Sequence, residues 1–186
     1  MKKKFKIKAY NIKDDTENAL QIEKDIVAVY AKGGSKPKPV VTFKGTVLIE
    51  GVDYKLSYKN NKAVNNGSNP NKQPTVTITG KGNFAGARTE VYCIEAQDIG
   101  LLNMTVADKT YKKKVNSYKS VPKIVDLDGK VLTAGKDYDK QLEYTYAETT
   151  ELDNGIVRNV GESINKDDIL PAGTIVQVKA KGIGNY

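Results

Sequence analysis

Apolar residues along this chain fall into short alternating runs rather than long helical stripes. Thr75 to Thr79 alternates Val76 and Ile78 with threonines, and Thr174 to Lys179 alternates Val176 and Val178 with polar neighbours. Tyr54-Lys55-Leu56-Ser57-Tyr58 and the stretch from Tyr138 to Tyr146 keep the same period. A period of two is that of a strand with one buried face, and β-branched and aromatic residues suit it. Turn signals separate the runs at Gly33-Gly34, Asn66-Gly67, Gly80-Lys81-Gly82, Asp128-Gly129 and Asn154-Gly155. Short strands every 8 to 12 residues or so predict an all-β fold made of sandwiches. Only Thr16 to Lys24 and Ser163 to Leu170 have room for a helical turn or two. At the N-terminus Phe5, Ile7 and Ala9 alternate with Lys4, Lys6 and Lys8, which predicts a strand with one face buried. The lysines on its open side discourage edge-to-edge aggregation.

A repeat organises these runs. Val47-Leu48-Ile49-Glu50-Gly51-Val52-Asp53-Tyr54 returns 84 residues later as Val131-Leu132-Thr133-Ala134-Gly135-Lys136-Asp137-Tyr138, identical at five of eight positions. Val40-Val41-Thr42-Phe43 matches Ile124-Val125-Asp126-Leu127 at the same offset. Val76 to Gly82 matches Val176 to Gly182 at an offset of 100, so the second copy holds an insertion of 16 residues; Asn83-Phe84 then answers Asn185-Tyr186. Ile7-Lys8-Ala9-Tyr10-Asn11-Ile12 resembles Ile94-Glu95-Ala96-Gln97-Asp98-Ile99, the segment that closes the first copy. The expected organisation is two tandem units. The first covers 1–100 and is preceded by a closing-type strand at 5–12. The second covers 101–186, with an inserted loop at 147–171 and its own closing strand absent. A short linker over 96–106 joins them. Residues 5–12 are expected to pair with the first unit or with the open edge of a neighbouring molecule, a route to strand-mediated self-association.

Gly51-Val52-Asp53-Tyr54, followed by Leu56-Ser57-Tyr58-Lys59-Asn60-Asn61 and by Val76-Thr77-Ile78-Thr79-Gly80-Lys81-Gly82-Asn83-Phe84-Ala85-Gly86, resembles the Ig-like tandem repeats of Gram-positive, gut Firmicutes-type, cell-surface proteins. The likeness spans Val27 to Ile99 well and Val106 to Tyr186 less well, since Leu142-Glu143-Tyr144-Thr145-Tyr146 replaces the Ser-Tyr-x-Asn-Asn element. It implies two Ig-like β-sandwich domains in an extracellular parent, secreted or wall-attached, with signal peptide and anchor outside these residues. It also implies adjacent Ig-like repeats as partners, and it carries no catalytic residues.

Composition sharpens this picture. The 186 residues include no His, no Trp and one Cys, which excludes His-Cys zinc sites, Ser-His-Asp triads, Cys-His dyads and internal disulfides. The net charge of +8 invites a nucleic-acid reading, but Lys2, Lys3, Lys4, Lys6, Lys8 and Lys13 supply six of the eight surplus charges. A basic end without a basic, aromatic-studded face argues against a nucleic-acid partner. No apolar run approaches the roughly 18 residues of a membrane span, so membrane insertion is not expected.

Candidate sites are few. Gly-x-Asp-Tyr at Asp53-Tyr54 and Asp137-Tyr138 reads as turn chemistry, with Asp accepting from nearby amides and Tyr packed behind it. Gly80-Lys81-Gly82-Asn83 is too short for a phosphate loop and reads as a hairpin turn. Asp126-x-Asp128-Gly129 opens like a calcium loop but lacks the later bidentate Glu; Asp167-Asp168 with Glu162 is similarly weak, and no metal or cofactor is expected. Cys93 is expected to point inward as a small hydrophobe. With no catalytic set, the expected role is a non-catalytic spacer that presents other domains away from the cell wall. The alternative is an adhesin-type module recognising a host protein or glycan through the 147–171 loop, because long loops on rigid scaffolds carry recognition. Its candidate ligand-binding residues are Tyr138, Tyr144, Tyr146 and Arg158.

Overall fold

The computed structural model describes residues 2–186. It is all-β apart from two single-turn 3-10 helices, Pro70–Lys72 and Ile99–Leu101. The chain divides into two compact units, Met1–Ala96 and Gln97–Tyr186.

In the first unit the strands are β1 (Tyr10–Asn11), β2 (Leu20–Ile22), β3 (Val27–Val29), β4 (Val41–Phe43), β5 (Thr46–Val47), β6 (Tyr54–Lys59), β7 (Thr75–Gly80), β8 (Phe84–Ala85), β9 (Ala87–Val91) and β10 (Cys93–Glu95). Two three-stranded sheets carry most of the pairing, β2-β4-β5 and β6-β7-β9. Leu20, Ile22 and Val41 of the first, and Tyr54, Val76 and Ile78 of the second, are buried. The alternation seen in the sequence places them there: Thr75, Thr77 and Thr79 stay on the outer side of β7. The strands nearest the two ends are held differently. β1 runs parallel to β8, and β10 runs parallel to β3, with Cys93, Ile94 and Glu95 opposite Val27, Ala28 and Val29.

The second unit contains β11 (Asn103–Thr105), β12 (Lys123–Val125), β13 (Glu143–Tyr146), β14 (Thr150–Glu151), β15 (Val157–Arg158) and β16 (Val176–Lys179). It reproduces two of the first unit's pairings. β11 pairs antiparallel with β12 as β2 does with β4, and β13 with β16 as β6 does with β7. The inserted segment forms its own hairpin, β14-β15. It packs Leu152 and Leu170 against Tyr146 in a cluster completed by Tyr118, Ile164 and Val176.

Several expectations shift. The anticipated linker is part of the second unit, because the Gln97 amide donates to the Asn185 carbonyl at 3.0 Å and Asn103–Thr105 pairs with Lys123–Val125. The same bond joins Tyr10 to Asn83 at 2.8 Å. Tyr10 to Ile12 is therefore the opening segment of the first unit. Phe5 and Ile7, expected to be buried, are 89% and 84% exposed. Thr16 to Lys24 contains β2 and no helix, and no helix occurs over 163–170. Cys93 is only half-buried; its neighbours Tyr92 and Ile94 point inward instead.

The repeat is also read in a slightly different register. The Leu48 amide bonds the Val41 carbonyl and the Leu132 amide bonds the Ile124 carbonyl, so buried Val41 corresponds to buried Ile124. The second unit's hairpin is one residue longer than an offset of 84 implies. Likewise Tyr54 faces Gly80 while Tyr138 bridges Gly182. Gly80 to Phe84 thus corresponds to Gly182 to Tyr186.

Candidate functional site

The duplicated Gly-x-Asp-Tyr motif builds the same turn twice. The Asp53 carboxylate accepts from the Ile49 amide at 2.9 Å, and Asp137 accepts from the Thr133 amide at 2.9 Å. The Gly51 amide donates to the Tyr54 carbonyl and that of Gly135 to the Tyr138 carbonyl, with both glycines at positive φ, 88° and 78°. Tyr54 and Tyr138 are buried behind these turns. The motif's side chains are spent on shaping the backbone.

Asp126 is similarly committed. Its Oδ1 accepts from the amides of Asp128 and Lys130 at 3.0 and 2.7 Å, and its Oδ2 accepts from the Tyr186 hydroxyl at 2.8 Å. Burial opposes its ionisation, but these donors and the nearby Lys130 hold its carboxyl below the usual carboxylate range. Lys130 Nζ lies 3.1 Å from Asp137 and 5.3 Å from the centre of the Tyr186 ring. Among the described residues there is no group of three or more carboxylate or thiol side chains placed to hold a metal ion. In the first unit the corresponding place is aromatic: Phe43 packs edge-on against Tyr10 and Phe84, with ring centres 4.8 and 5.1 Å apart. One repeat position has thus exchanged ring packing for a hydrogen-bonded network.

The four residues singled out in the second unit have different settings. Tyr146 and Arg158 are brought together by Asp168. The Arg158 guanidinium donates to both carboxylate oxygens, at 2.8 and 3.1 Å, and the buried Tyr146 hydroxyl donates at 2.9 Å. The Asn165 amide adds a fourth donor at 3.1 Å. Burial works against the Asp168 charge, yet the bonds from Arg158, Tyr146 and Asn165 outweigh it and keep the carboxyl low. Burial, with the carboxylate beside it, raises the Tyr146 phenol. Tyr138 lies apart from this cluster, buried against Gly182. Tyr144 donates to the Ser120 carbonyl at 3.1 Å and meets Tyr118 edge-on.

Asp168 is the residue that sequence reading undervalued. Nothing local distinguishes it from Asp167; its importance comes from Arg158, ten residues earlier and across the inserted hairpin.

The second unit contains a groove of about 410 Å³. It is lined by the segments from Val106 to Tyr111 and from Leu170 to Val176, with Tyr118, Tyr144 and Val178. Its lining contains a single carboxylate, Asp108. That arrangement offers shape and strand edges, and it brings no nucleophile together with a base. Comparison with known proteins gives no match to a family model, to a curated protein or to a solved structure.

Proposed function

We propose that this chain is a non-catalytic spacer, two Ig-like β-sandwich repeats of an extracellular bacterial surface protein that hold other domains away from the cell wall. The observation that carries this reading is how the first repeat is tied at both ends and the second at its opening. In the first unit the outermost strands β1 and β10 are both held by parallel ladders, to β8 and β3. Tension along the chain pulls on such strands lengthwise, so several backbone bonds resist together instead of opening singly. The second unit opens with the same bond, from Gln97 to Asn185, and Ala96 alone separates it from β10. The polar clusters support the same role, since Asp53, Asp126, Asp137 and Asp168 all serve turns or packing.

Pulling on the two ends of the chain in a force spectrometer tests this. The expected trace has two unfolding events, each releasing about 30 nm of chain. A featureless extension would remove the mechanical reading.

A direct binding role through the 147–171 insertion is favoured by one observation: Ile156, Val157 and Val160 on its hairpin are exposed. Replacing all three with Ser leaves the Tyr146–Asp168–Arg158 cluster in place. Loss of adhesion to host cells with the fold retained supports the binding role, and unchanged adhesion rejects it.

A further inference from the structure

Charge is nearly balanced over residues 101–186, with 13 basic and 12 acidic groups. Locally it is not. Residues 108–119 hold five lysines, Lys109, Lys112, Lys113, Lys114 and Lys119, against the single acid Asp108. The rest of 101–186 is net acidic, with 8 basic groups against 11. A lysine-rich run inside a folded unit is a candidate polyanion patch, and its setting decides whether it is more than a solvated stretch.

The fold ties both ends of this run to the unit. Ser120 Oγ donates to the Ala107 carbonyl at 2.8 Å, which closes the neck. The Ser120 carbonyl accepts from the Tyr144 hydroxyl at 3.1 Å, and Tyr118 meets the Tyr144 ring edge-on, so the neck is fastened to β13. Between these fixings the chain turns on itself. Asn116 takes a positive φ of 58°, and its carbonyl accepts from the Lys119 amide at 3.4 Å. An excursion of a dozen residues with its ends held together is an Ω-loop, a form that frequently carries function. Residues 108–116 are all exposed. Among the described residues none of the five lysines forms an ion pair, so their charge faces solvent uncompensated. The loop also borders a hollow of about 490 Å³, lined entirely by residues between 108 and 117. Lys109, Lys112 and Lys114 contribute to that lining, together with Thr110, Asn116 and Ser117.

The chemistry of the loop selects among polyanions. Five ammonium groups and no guanidinium offer point charges, without the planar fork that grips phosphate or guanine in two bonds. Among the described residues no aromatic ring lines the hollow, so bases would find no platform to stack on. Hydroxyl and amide side chains beside ammonium groups suit a ligand that carries both hydroxyls and acidic groups. We infer that the loop at 108–119 binds an acidic polysaccharide. The sulfate or carboxylate groups of that chain would meet Lys109, Lys112, Lys113 and Lys114, and its sugar hydroxyls would meet Thr110, Asn116 and Ser117. This segment is distinct from the 147–171 insertion, and the inference needs neither that hairpin nor the spacer reading.

Calorimetric titration with dextran sulfate, polygalacturonate and neutral dextran tests it. To keep the N-terminal lysines out of the readout, the full chain carries Lys2→Gln, Lys3→Gln, Lys4→Gln, Lys6→Gln and Lys8→Gln. It is expected to bind an acidic chain and not neutral dextran, and the acidic chain bound more tightly identifies the acid group. Affinity should fall about a hundredfold as salt rises from about 50 to about 200 mM, the loss that goes with about four neutralised charges. Adding Lys112→Gln/Lys113→Gln/Lys114→Gln should weaken binding at least about tenfold with an unchanged far-ultraviolet spectrum. Adding Lys136→Gln/Lys166→Gln/Lys181→Gln instead removes three exposed lysines of the same unit, an equal change in net charge, and should cost less than about threefold. Three results overturn the inference: no binding to either acidic chain, an equal loss in the two triple variants, or a single-stranded oligonucleotide bound as tightly as the better polysaccharide. If the loop triple does not fold, Lys112→Gln and Lys114→Gln taken singly decide, each expected to weaken binding about twofold to threefold and each counting against the site if it changes nothing.

Discussion

At the scale of single residues, the carboxylates of this protein are structural bonds in a small space. Asp168 illustrates how much one can carry, since four donors converge on it from Arg158, Tyr146 and Asn165. Its folded-state carboxyl lies below the ordinary value near 3.9 of an unfolded chain. A lowered carboxylate contributes stability that is complete above the unfolded value and is lost as pH falls through the folded one. Asp168→Asn is therefore expected to cost about 3 kcal/mol at neutral pH, the low end of the range for breaking a buried pair, because Arg158 keeps some contact with water. The gap from wild type should narrow in acid, at a pH of about 2.5. Urea unfolding at both pH values measures it, and an equal gap at both would show that the charge of Asp168 is not what matters. Glycine acts at this scale too. A Cβ at Gly80 would lie 2.7 Å from the Ala85 nitrogen, and one at Gly182 would lie 2.4 Å from the Tyr186 carbonyl carbon. That shared crowding explains why the repeat keeps glycine here better than it keeps spacing.

Among the elements, the contrast between β7 and β16 is the clearest. Their sequences alternate alike, yet β7 is paired on both sides, by β6 and β9, and β16 by β13 alone. The amides of β7 that point to β9 are protected; the matching amides of β16 point to solvent. Hydrogen exchange on a dilute sample should show those β16 amides exchanging at least a hundredfold faster than their β7 counterparts. Equal protection in the two strands would mean that the β16 edge is already covered. The insertion shows the opposite outcome for a long loop. Tyr146, Leu152 and Leu170 give it a core, and Ser163 pairs with Thr145 along the other edge of β13. The inserted segment is built into the unit, and its hairpin leaves Ile156, Val157 and Val160 exposed.

Taken as a whole molecule, the chain is two variations on one pattern, each with its own buried centre. Six of the eight surplus positive charges lie within the first 13 residues, five of them on the lysines before β1. Among the described residues no helix is long and apolar enough to cross a membrane. The repeat was legible because its turns are chemical: Gly-x-Asp-Tyr must keep those side chains to close the same backbone bonds. The strands of the second unit were harder to align because side-chain alternation survives an insertion of two residues. Only the pairing of Tyr138 with Gly182, and not with Ala180, settles where the extra residues lie. The boundary between the units was misjudged for a related reason. Residues 96–106 lack strong periodicity, and nothing in them announces that Gln97 will bond a residue 88 positions away.

The sequence alone determined the all-β character, the twofold repetition and the turn chemistry, because each depends on residues close together in the chain. The same holds for the exclusion of His- and disulfide-based chemistry. Tertiary structure alone decided which alternating faces find a partner. Phe5 and Ile7 have the same pattern as Tyr92 and Ile94, but a pattern specifies only that a face be covered. Whether water or another strand covers it depends on what the rest of the fold brings alongside, as β3 does for β10. Asp168 obeys the same physics: a carboxylate's worth is set by the donors that converge on it, and Arg158, Tyr146 and Asn165 meet it only once the insertion has folded.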